Sequence, residues 1–286
     1  MRRRSARNRL TTRDKGILTH VGENRASSIE VLHAAFFPGK HLDAAKSTLR
    51  RLCNPPHCLL KLVPLDGRRS WYQLTQRGAR LAGFDKEVCQ SLGHQSRARR
   101  YALQWYFYIE PGQQRRPCQI RNFPSLFPIE GHRLPQGNFY VATASQPAAS
   151  PHTDAGMEAP GRGPEAAGIQ QYSRSAENAR FGFAMIDCGA KPQRIGQRLL
   201  ATLRRFLRHG WFDDFFRSGN FEITLLTITA SRKRAYQHAL PTLIEKSLAT
   251  EFRRIARPDS AAEPIRIAIH VVPRLIDLIP GRGGDT

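Results

Sequence analysis

The chain has 286 residues, which is enough for two domains that each bury a core of their own. It carries 45 Lys and Arg residues against 23 Asp and Glu residues, a formal net charge of +22. This excess favours a polyanionic partner and is untypical of a metabolic enzyme. Nucleic acid is favoured over a membrane, because no run of about 18 apolar residues could span a bilayer and the basic residues are spread through segments that read as folded.

The chain begins with a basic arm, residues 1–9. Arg2, Arg3 and Arg4 are not followed by an apolar stretch, so the arm does not read as a secretory signal. We expect it to lie along DNA phosphates or to enter a minor groove, and a merely solvated tail is the alternative.

The stretch 10–83 predicts three short helices followed by a β-hairpin. Thr11 or Thr12 can cap the first helix, and Ser27 or Ser28 can cap the second. Apolar residues at helical spacing predict the third helix over 41–52. An apolar run at 59–63, a turn at 66–67 and a returning strand at 71–74 predict the hairpin.

The third helix has the composition of a helix that reads a DNA groove. Its apolar residues form one face and leave cationic and hydroxyl side chains outside. Long cationic donors, a small hydroxyl and an apolar back are what a groove-reading helix needs. Together with the hairpin turn and the arm, the predicted DNA-binding residues are Lys46, Ser47, Arg50, Arg51, Arg68, Arg69, Arg2, Arg3 and Arg4.

Three segments of this stretch resemble the winged-helix half of the replication-relaxation family, proteins associated with plasmids and integrative elements. They are Arg13-Asp14-Lys15-x-Ile17-Leu18, Leu49-Arg50-Arg51-Leu52 and Tyr72-x-Leu74-Thr75-x-x-Gly78-Ala79-x-Leu81. The resemblance implies an N-terminal winged helix-turn-helix domain at 10–83 that binds double-stranded DNA. It also implies a role in replication, transfer or maintenance of a mobile genetic element. A generic winged helix used for protein contacts is the alternative, and the exposed arginines argue against it.

An aromatic helix is predicted at 94–109, and its aromatic side chains fall on all sides. Such a helix is more typical of burial between two domains than of a base-stacking surface. We therefore predict a connector between the winged helix and a second domain at 110–280.

The second domain is interrupted by a segment, 145–178, that is dominated by Ala, Gly, Pro, Ser and Gln. Such a composition buries too little area to offset the entropy of ordering, and we predict a disordered insertion. The remainder reads as strand, strand, helix, strand, helix, strand, which predicts a mixed sheet covered by helices. The predicted fold class is α/β (α+β overall).

This pattern, in this order behind a winged helix, resembles the restriction-endonuclease-like domain that the same family carries. Such nucleases use two carboxylates to hold a divalent metal and a lysine to orient the attacking water. This chain has Gln136 where the Asp of a Pro-Asp pair would stand, and Met185 where a further acid would help to complete the site. Asp187 and Lys191 are the remaining catalytic candidates.

Three distant acids could in principle supply a second carboxylate: Glu130, Glu177 and Glu222. A local ion pair of Asp187 with Lys191 or Arg194 is the alternative to catalysis. We therefore predict a nuclease-like domain that is inactive and needs no cofactor. One alternative is an Mg²⁺-dependent endonuclease that uses Asp187, and another is a transcriptional regulator whose second domain forms a homodimer or binds a protein partner.

Further basic residues follow the strands of the second domain. They lie on the helix after Pro192 and at a strand-to-helix junction, where a helix dipole also favours phosphate. A solvated charge run is the alternative. The predicted secondary phosphate contacts are Arg194, Arg198, Arg205, Arg232, Lys233 and Arg234.

The five cysteines are odd in number and widely scattered. This spacing disfavours a disulfide framework and favours a reducing cytoplasm. The run from Cys53 to His57 and Cys58 lacks the further ligands of a zinc site, so packing is the better interpretation.

Overall fold

A computed structural model describes residues 9–66, 68–111, 113–118, 137–144, 179–210, 212–255 and 265–279. The insertion predicted at 145–178 lies outside these ranges, as do the predicted DNA contacts Arg2, Arg3 and Arg4 and the motif residues Glu130, Gln136 and Glu177.

Within the described ranges, the chain is a mixed α/β protein. The α-helices are α1 (Thr12–Asn24), α2 (Ile29–Phe36), α3 (Leu42–Cys53), α4 (Gln76–Leu81), α5 (His94–Tyr108), α6 (Pro192–His209), α7 (Asp213–Arg217) and α8 (Ala230–Ile255). The strands are β1 (Leu60–Pro64), β2 (Ser70–Leu74), β3 (Gln113–Cys118), β4 (Asn138–Ala144), β5 (Ala179–Ile186), β6 (Phe221–Thr227) and β7 (Arg266–Val271). Short 3-10 helices span Lys86–Cys89 and Ile276–Leu278.

The first helices begin at the predicted caps. The Thr11 hydroxyl accepts the Asp14 backbone N–H at 3.2 Å, and the Asp14 carboxylate accepts the Thr11 N–H at 2.8 Å. This reciprocal pair is a capping box, which fixes the start of α1. Ser28 caps α2 by accepting the N–H of Val31 at 3.4 Å. The choice between neighbouring caps is thus settled for Thr11 and Ser28.

Strands β1 and β2 form the predicted antiparallel hairpin, with Leu60 opposite Leu74. One face of the hairpin packs against α1, α2 and α3, and the other face carries Trp71 into a core shared with α5. The hairpin is therefore covered on two sides near its base.

The segment Thr75-x-x-Gly78 joins the hairpin to α4. The Thr75 hydroxyl accepts the N–H of Gly78 at 3.1 Å and donates to the Cys58 carbonyl at 2.7 Å. A Cβ at position 78 would collide with the carbonyl oxygen of Leu59. Glycine is therefore required where α4 approaches the start of the hairpin.

Helix α5 lies between the hairpin and the larger sheet. Ala98 and Ala102 are buried with Trp71, and further along the helix Tyr106 is buried with Tyr140 of β4. The helix predicted at 94–109 is thus present at nearly those bounds, and it contacts both parts of the chain.

The larger sheet has the strand order β3-β4-β5-β6-β7. Strands β3, β4 and β5 pair antiparallel, whereas β5, β6 and β7 pair parallel. The parallel pairs require crossover helices, which α6 and α8 supply. These helices and α7 cover one face with an apolar core rich in phenylalanine, and α5 covers the other face.

Strand β3 was missed by the sequence interpretation. It reads Gln-Gln-Arg-Arg-Pro-Cys and lacks apolar alternation. It lies at the edge of the sheet, where only one side of the strand is hydrogen-bonded to a neighbour. Pro117, which has no N–H, and polar side chains are both tolerated in such a strand.

Among the described residues, none of the helices combines the length and the apolar character needed to cross a bilayer.

His20 of α1 lies in a buried polar chain that connects α1 to α5. Its Nε2 is 3.2 Å from the Ser27 hydroxyl, which donates to Gln104 Oε1 at 3.3 Å. The His20 ring meets the Phe36 and Tyr108 rings edge-on. Burial lowers the pKa of His20 from 6.5 to about 4, so the folded protein holds this imidazole neutral.

We predict that stability falls in mild acid because of His20. The folded pKa lies below the unfolded one, so the stabilising contribution is complete above pH 6.5 and is lost as the pH falls towards 4. The loss should be about 3 kcal/mol, which urea denaturation at pH 7 and pH 4 would measure.

The matched control is a solvent-exposed histidine of α8, His238. His20→Gln should reduce the pH dependence over this range, whereas His238→Gln should leave it unchanged. Equal slopes for the wild type and His20→Gln would refute the assignment.

Candidate nucleic-acid interface

The outer face of α3 presents two cations and a hydroxyl to solvent. Lys46, Ser47 and Arg50 are all exposed and fall on one side of the helix, since they are three and four residues apart. Ala45 and Leu49 are fully buried on the opposite side. Lys46 lies 3.0 Å from the exposed carboxylate of Asp43, a surface pair that contributes little and can open.

Arg50 projects near the hairpin. Burial raises the pKa of the Tyr72 hydroxyl, and the charge of Arg50 is among the groups that act on it. Tyr72 lies on β2, so the outer face of α3 and the hairpin adjoin at this point.

Arg51 does not belong to this outer face, contrary to the sequence-based prediction. Its guanidinium donates to the Asp14 carboxylate at 2.6 Å and lies 3.4 Å from His57 Nε2. Asp14 is only 1% exposed, so Arg51 neutralises a buried charge. Burial alone would raise the pKa of Asp14, but the hydrogen bonds from Arg51 and Thr11 hold it below its ordinary value.

Arg69 is likewise held inside the molecule. It forms an ion pair with Asp66 at 2.6 Å, donates to the Tyr101 hydroxyl at 3.1 Å and lies over the Tyr101 ring. It also donates to the backbone carbonyl of Arg274 at 3.4 Å. Arg69 therefore links the hairpin turn to α5 and to the segment after β7, while its neighbour Arg68 is exposed.

Asp187 lies at the carboxyl end of β5 and is completely buried. One carboxylate oxygen accepts Arg232 at 2.5 Å, the Tyr236 hydroxyl at 2.9 Å and the Thr227 hydroxyl at 3.2 Å. The other oxygen accepts the N–H of Gly189 at 2.8 Å. Burial and the charge of Asp187 raise the pKa of the Tyr236 hydroxyl, so it stays a donor.

The partner of Asp187 is thus Arg232, not the predicted Lys191 or Arg194. Arg232 lies in the first turn of α8 and also donates to the Ala190 carbonyl at 2.8 Å. This corrects its prediction as a phosphate contact, because its side chain is only 15% exposed and its donors are engaged. Lys191 is exposed at the start of α6.

Glu222 lies on the other face of the sheet. Its carboxylate accepts the Tyr140 hydroxyl at 2.6 Å and adjoins Tyr106 of α5 at 3.4 Å. Burial and the charge of Glu222 hold the pKa of Tyr140 well above its ordinary value. Asp187 contacts α8 and Glu222 contacts α5, so these two carboxylates cannot share a metal ion.

The described residues contain no group of three or more His, Cys, Asp or Glu side chains able to hold a metal ion. Asp187 already accepts four hydrogen bonds, and Arg232 supplies a positive charge beside it. A metal at this carboxylate would have to displace a buried cation.

A second cationic surface surrounds the carboxyl end of β5. Arg194 and Arg198 are exposed and one helical turn apart on α6. Burial raises the pKa of the nearby Cys188 thiol, and the cations Arg99 and Arg198 partly oppose that shift. Sequence reasoning missed Arg99 here, because it lies on α5 and comes near Cys188 only in the folded chain.

The remaining predicted phosphate contacts vary in exposure. Arg205 of α6 and Arg234 of α8 are exposed, and Lys233 is half-buried. Arg205 also makes an interaction within the protein. Arg205 and Arg234 can therefore extend the second cationic surface, and Lys233 can do so to a smaller extent.

Comparisons of the chain with protein-family models, with curated proteins and with solved structures found no match. The functional conclusion therefore depends on the chemistry of these surfaces, since an overall fold class does not determine function.

We predict that Asp187→Asn lowers the free energy of unfolding by about 3–5 kcal/mol. The change would leave Arg232 with its donors buried and its charge uncompensated. Urea denaturation would measure the loss. Lys191→Ala, an exposed change four residues away, should cost no more than about 0.5 kcal/mol. A neutral effect of Asp187→Asn would show that the carboxylate does not hold this region together.

Proposed function

We propose that this protein binds double-stranded DNA through the outer face of α3. The observation that carries the proposal is that Lys46, Ser47 and Arg50 share an exposed face while the back of α3 is buried. In this proposal α1, α2 and α3 with the β1–β2 hairpin act as a winged helix. The order of three helices and a hairpin supports it, as does the net charge of +22.

The three side chains suit different contacts in a major groove. Arg50 has the fork of donors that pairs with the O6 and N7 atoms of guanine. Lys46 can leave its surface pair with Asp43 for a phosphate, and Ser47 can donate to a phosphate or a base. Arg68 at the hairpin turn would contact the backbone beside the groove.

The second cationic surface would extend this binding along the duplex. Arg194 and Arg198 are placed to contact phosphates, with Arg205, Lys233 and Arg234 as further candidates. The arm residues Arg2, Arg3 and Arg4 remain proposed contacts on the basis of the sequence alone.

We also propose that the larger sheet is a nuclease-like scaffold without metal-dependent activity. Its antiparallel strands followed by parallel ones support the likeness to restriction endonucleases that the sequence suggested. Arg232 already neutralises Asp187, and Glu222 lies on the other face, so a two-carboxylate metal site cannot form from this pair. The resemblance implies a role in replication, transfer or maintenance of a mobile genetic element, and the scattered cysteines favour the cytoplasm as the place of that role.

We predict that Arg50→Ala lowers affinity by about 1–3 kcal/mol for a duplex selected from a random pool, because a bidentate contact to a base would be lost. Fluorescence anisotropy with the selected and an unselected duplex would measure the loss of preference.

Affinity of the wild type should fall steeply between about 50 and 200 mM salt, since each neutralised phosphate releases about 0.9 counterion.

The matched control is Arg80→Ala, which removes one exposed cation from α4. It should leave the preference for the selected duplex intact. If Arg50→Ala and Arg80→Ala weaken binding equally, α3 is not the reading helix.

We predict that the purified protein does not cleave supercoiled plasmid with Mg²⁺ or Mn²⁺. The reason is that Asp187 has Arg232 where a metal would bind. A gel assay beside an active restriction endonuclease would test this. Metal-dependent cleavage that Lys191→Ala abolishes without lowering the melting temperature would contradict it.

A further inference from the structure

Two arginines meet where the end of α1, the start of α5 and the 3-10 helix at Lys86–Cys89 come together. Arg25 follows α1, and Arg100 lies in the second turn of α5. The Arg100 guanidinium donates through Nη1 to the backbone carbonyl of Asn24 at 2.9 Å. The Arg25 guanidinium donates through Nη2 to the backbone carbonyl of Glu87 at 2.8 Å. Because Asn24 and Arg25 are neighbours in the chain, the Arg100 guanidinium lies beside the backbone of Arg25.

The charges of these two arginines oppose each other. Both side chains are half-buried. Burial and then the charge of Arg25 lower the pKa of the Arg100 guanidinium, so the two cations are near enough to interact. Within the described ranges neither forms an ion pair with a carboxylate, including that of Glu23 two residues before Arg25. Cations removed from water are normally paired, so a bound anion would relieve an unfavourable arrangement.

The pair keeps several donors open to solvent. In Arg100, Nε and Nη2 make no hydrogen bond with any described residue and are accessible. These two nitrogens form one edge of the guanidinium, and such an edge can donate to two oxygens of an oxyanion in parallel. Nη1 of Arg25 is likewise accessible and without a partner in the described chain, whereas its Nε is buried and out of reach of a ligand.

The backbone of Arg25 adopts a conformation that glycine would favour. Its φ is 63°, in the left-handed region, and its N–H closes α1 by donating to the Gly22 carbonyl at 3.2 Å. Glycine is the usual residue at such a helix end. Residues held in this region by their surroundings occur at ligand-binding sites among other functional places. An arginine here is therefore consistent with a binding role for its side chain.

We propose that Arg25 and Arg100 form a binding site for a dianionic phosphate group, either free phosphate or a phosphate monoester. Arg100 would donate from Nε and Nη2 to two of the phosphate oxygens, and Arg25 would donate from Nη1 to a third. A carboxylate has two oxygens and a single charge, so one guanidinium would satisfy it and the other would stay uncompensated. The bound phosphate would connect the end of α1 to α5.

The test is a titration of ¹⁵N-labelled protein, followed through its backbone amide resonances at constant ionic strength. The probes are inorganic phosphate and methyl phosphate, each above its second pKa. Both should shift the Asn24 and Arg25 resonances with dissociation constants in the millimolar range, as expected for small ligands. The probe that binds more tightly identifies free phosphate or a monoester as the source of the group. Acetate and dimethyl phosphate, with one charge each, should bind at least about tenfold more weakly.

Paired variants place the site. Arg100→Gln should weaken phosphate binding at least about tenfold, because charge-assisted hydrogen bonds are lost. Arg80→Gln removes one exposed cation from α4 and should leave phosphate binding unchanged. Arg100→Lys keeps the charge without the two-donor edge and should also weaken binding. The amide spectrum shows whether each variant folds, and Arg100→Lys carries the comparison if Arg100→Gln does not.

The proposal is overturned if neither phosphate probe moves the Asn24 and Arg25 resonances. It is also overturned if acetate or dimethyl phosphate binds as tightly as inorganic phosphate. Equal phosphate binding by Arg100→Gln and Arg80→Gln would overturn it too, since general attraction by a positive surface would then explain the shifts.

Discussion

Burial of α5 on two sides holds the chain together. Ala98 and Ala102 lie in one apolar cluster with Trp71 of the hairpin, and Tyr106 continues that cluster to Tyr140 of the sheet. Because these buried side chains belong to one apolar cluster, moving the hairpin relative to the sheet would expose apolar area on both sides of the helix. The α3 face and the cations of α6 therefore keep a fixed spatial relation.

Polar contacts give this packing a single register. Gln104 of α5 donates to the Ala26 carbonyl at 2.6 Å and accepts from Ser27, while Tyr101 meets Arg69 of the hairpin turn. Unlike apolar contacts, these bonds tolerate little sliding, since a displaced partner would leave a buried polar group unmatched. Two such groups near α5, the indole Nε1 of Trp71 and the Oε1 of Gln73, have no hydrogen-bond partner among the described residues.

The basic residues divide into two groups that composition does not distinguish. Arg51, Arg69 and Arg232 neutralise Asp14, Asp66 and Asp187 inside the protein. Lys46, Arg50, Arg68, Arg194 and Arg198 stay exposed. A nearby cation stabilises each of these three carboxylates, so some of the arginines in a very basic chain are needed by the fold and cannot contact a polyanionic partner.

The sequence alone determined most of the elements, because caps and apolar periodicity are local signals. A cap at Thr11 or Thr12, a cap at Ser27 or Ser28, the spacing of α3 and the apolar strand β6 could all be predicted without tertiary information. Edge strand β3 could not, since an edge position relaxes the apolar pattern that identifies a strand. Only the tertiary structure decided which cations are free, because the pairing of Arg51 with Asp14 spans 37 residues and that of Arg232 with Asp187 spans 45. Such pairs form where separate elements meet in the fold. The residues that surround each partner in the sequence therefore do not reveal the pairing.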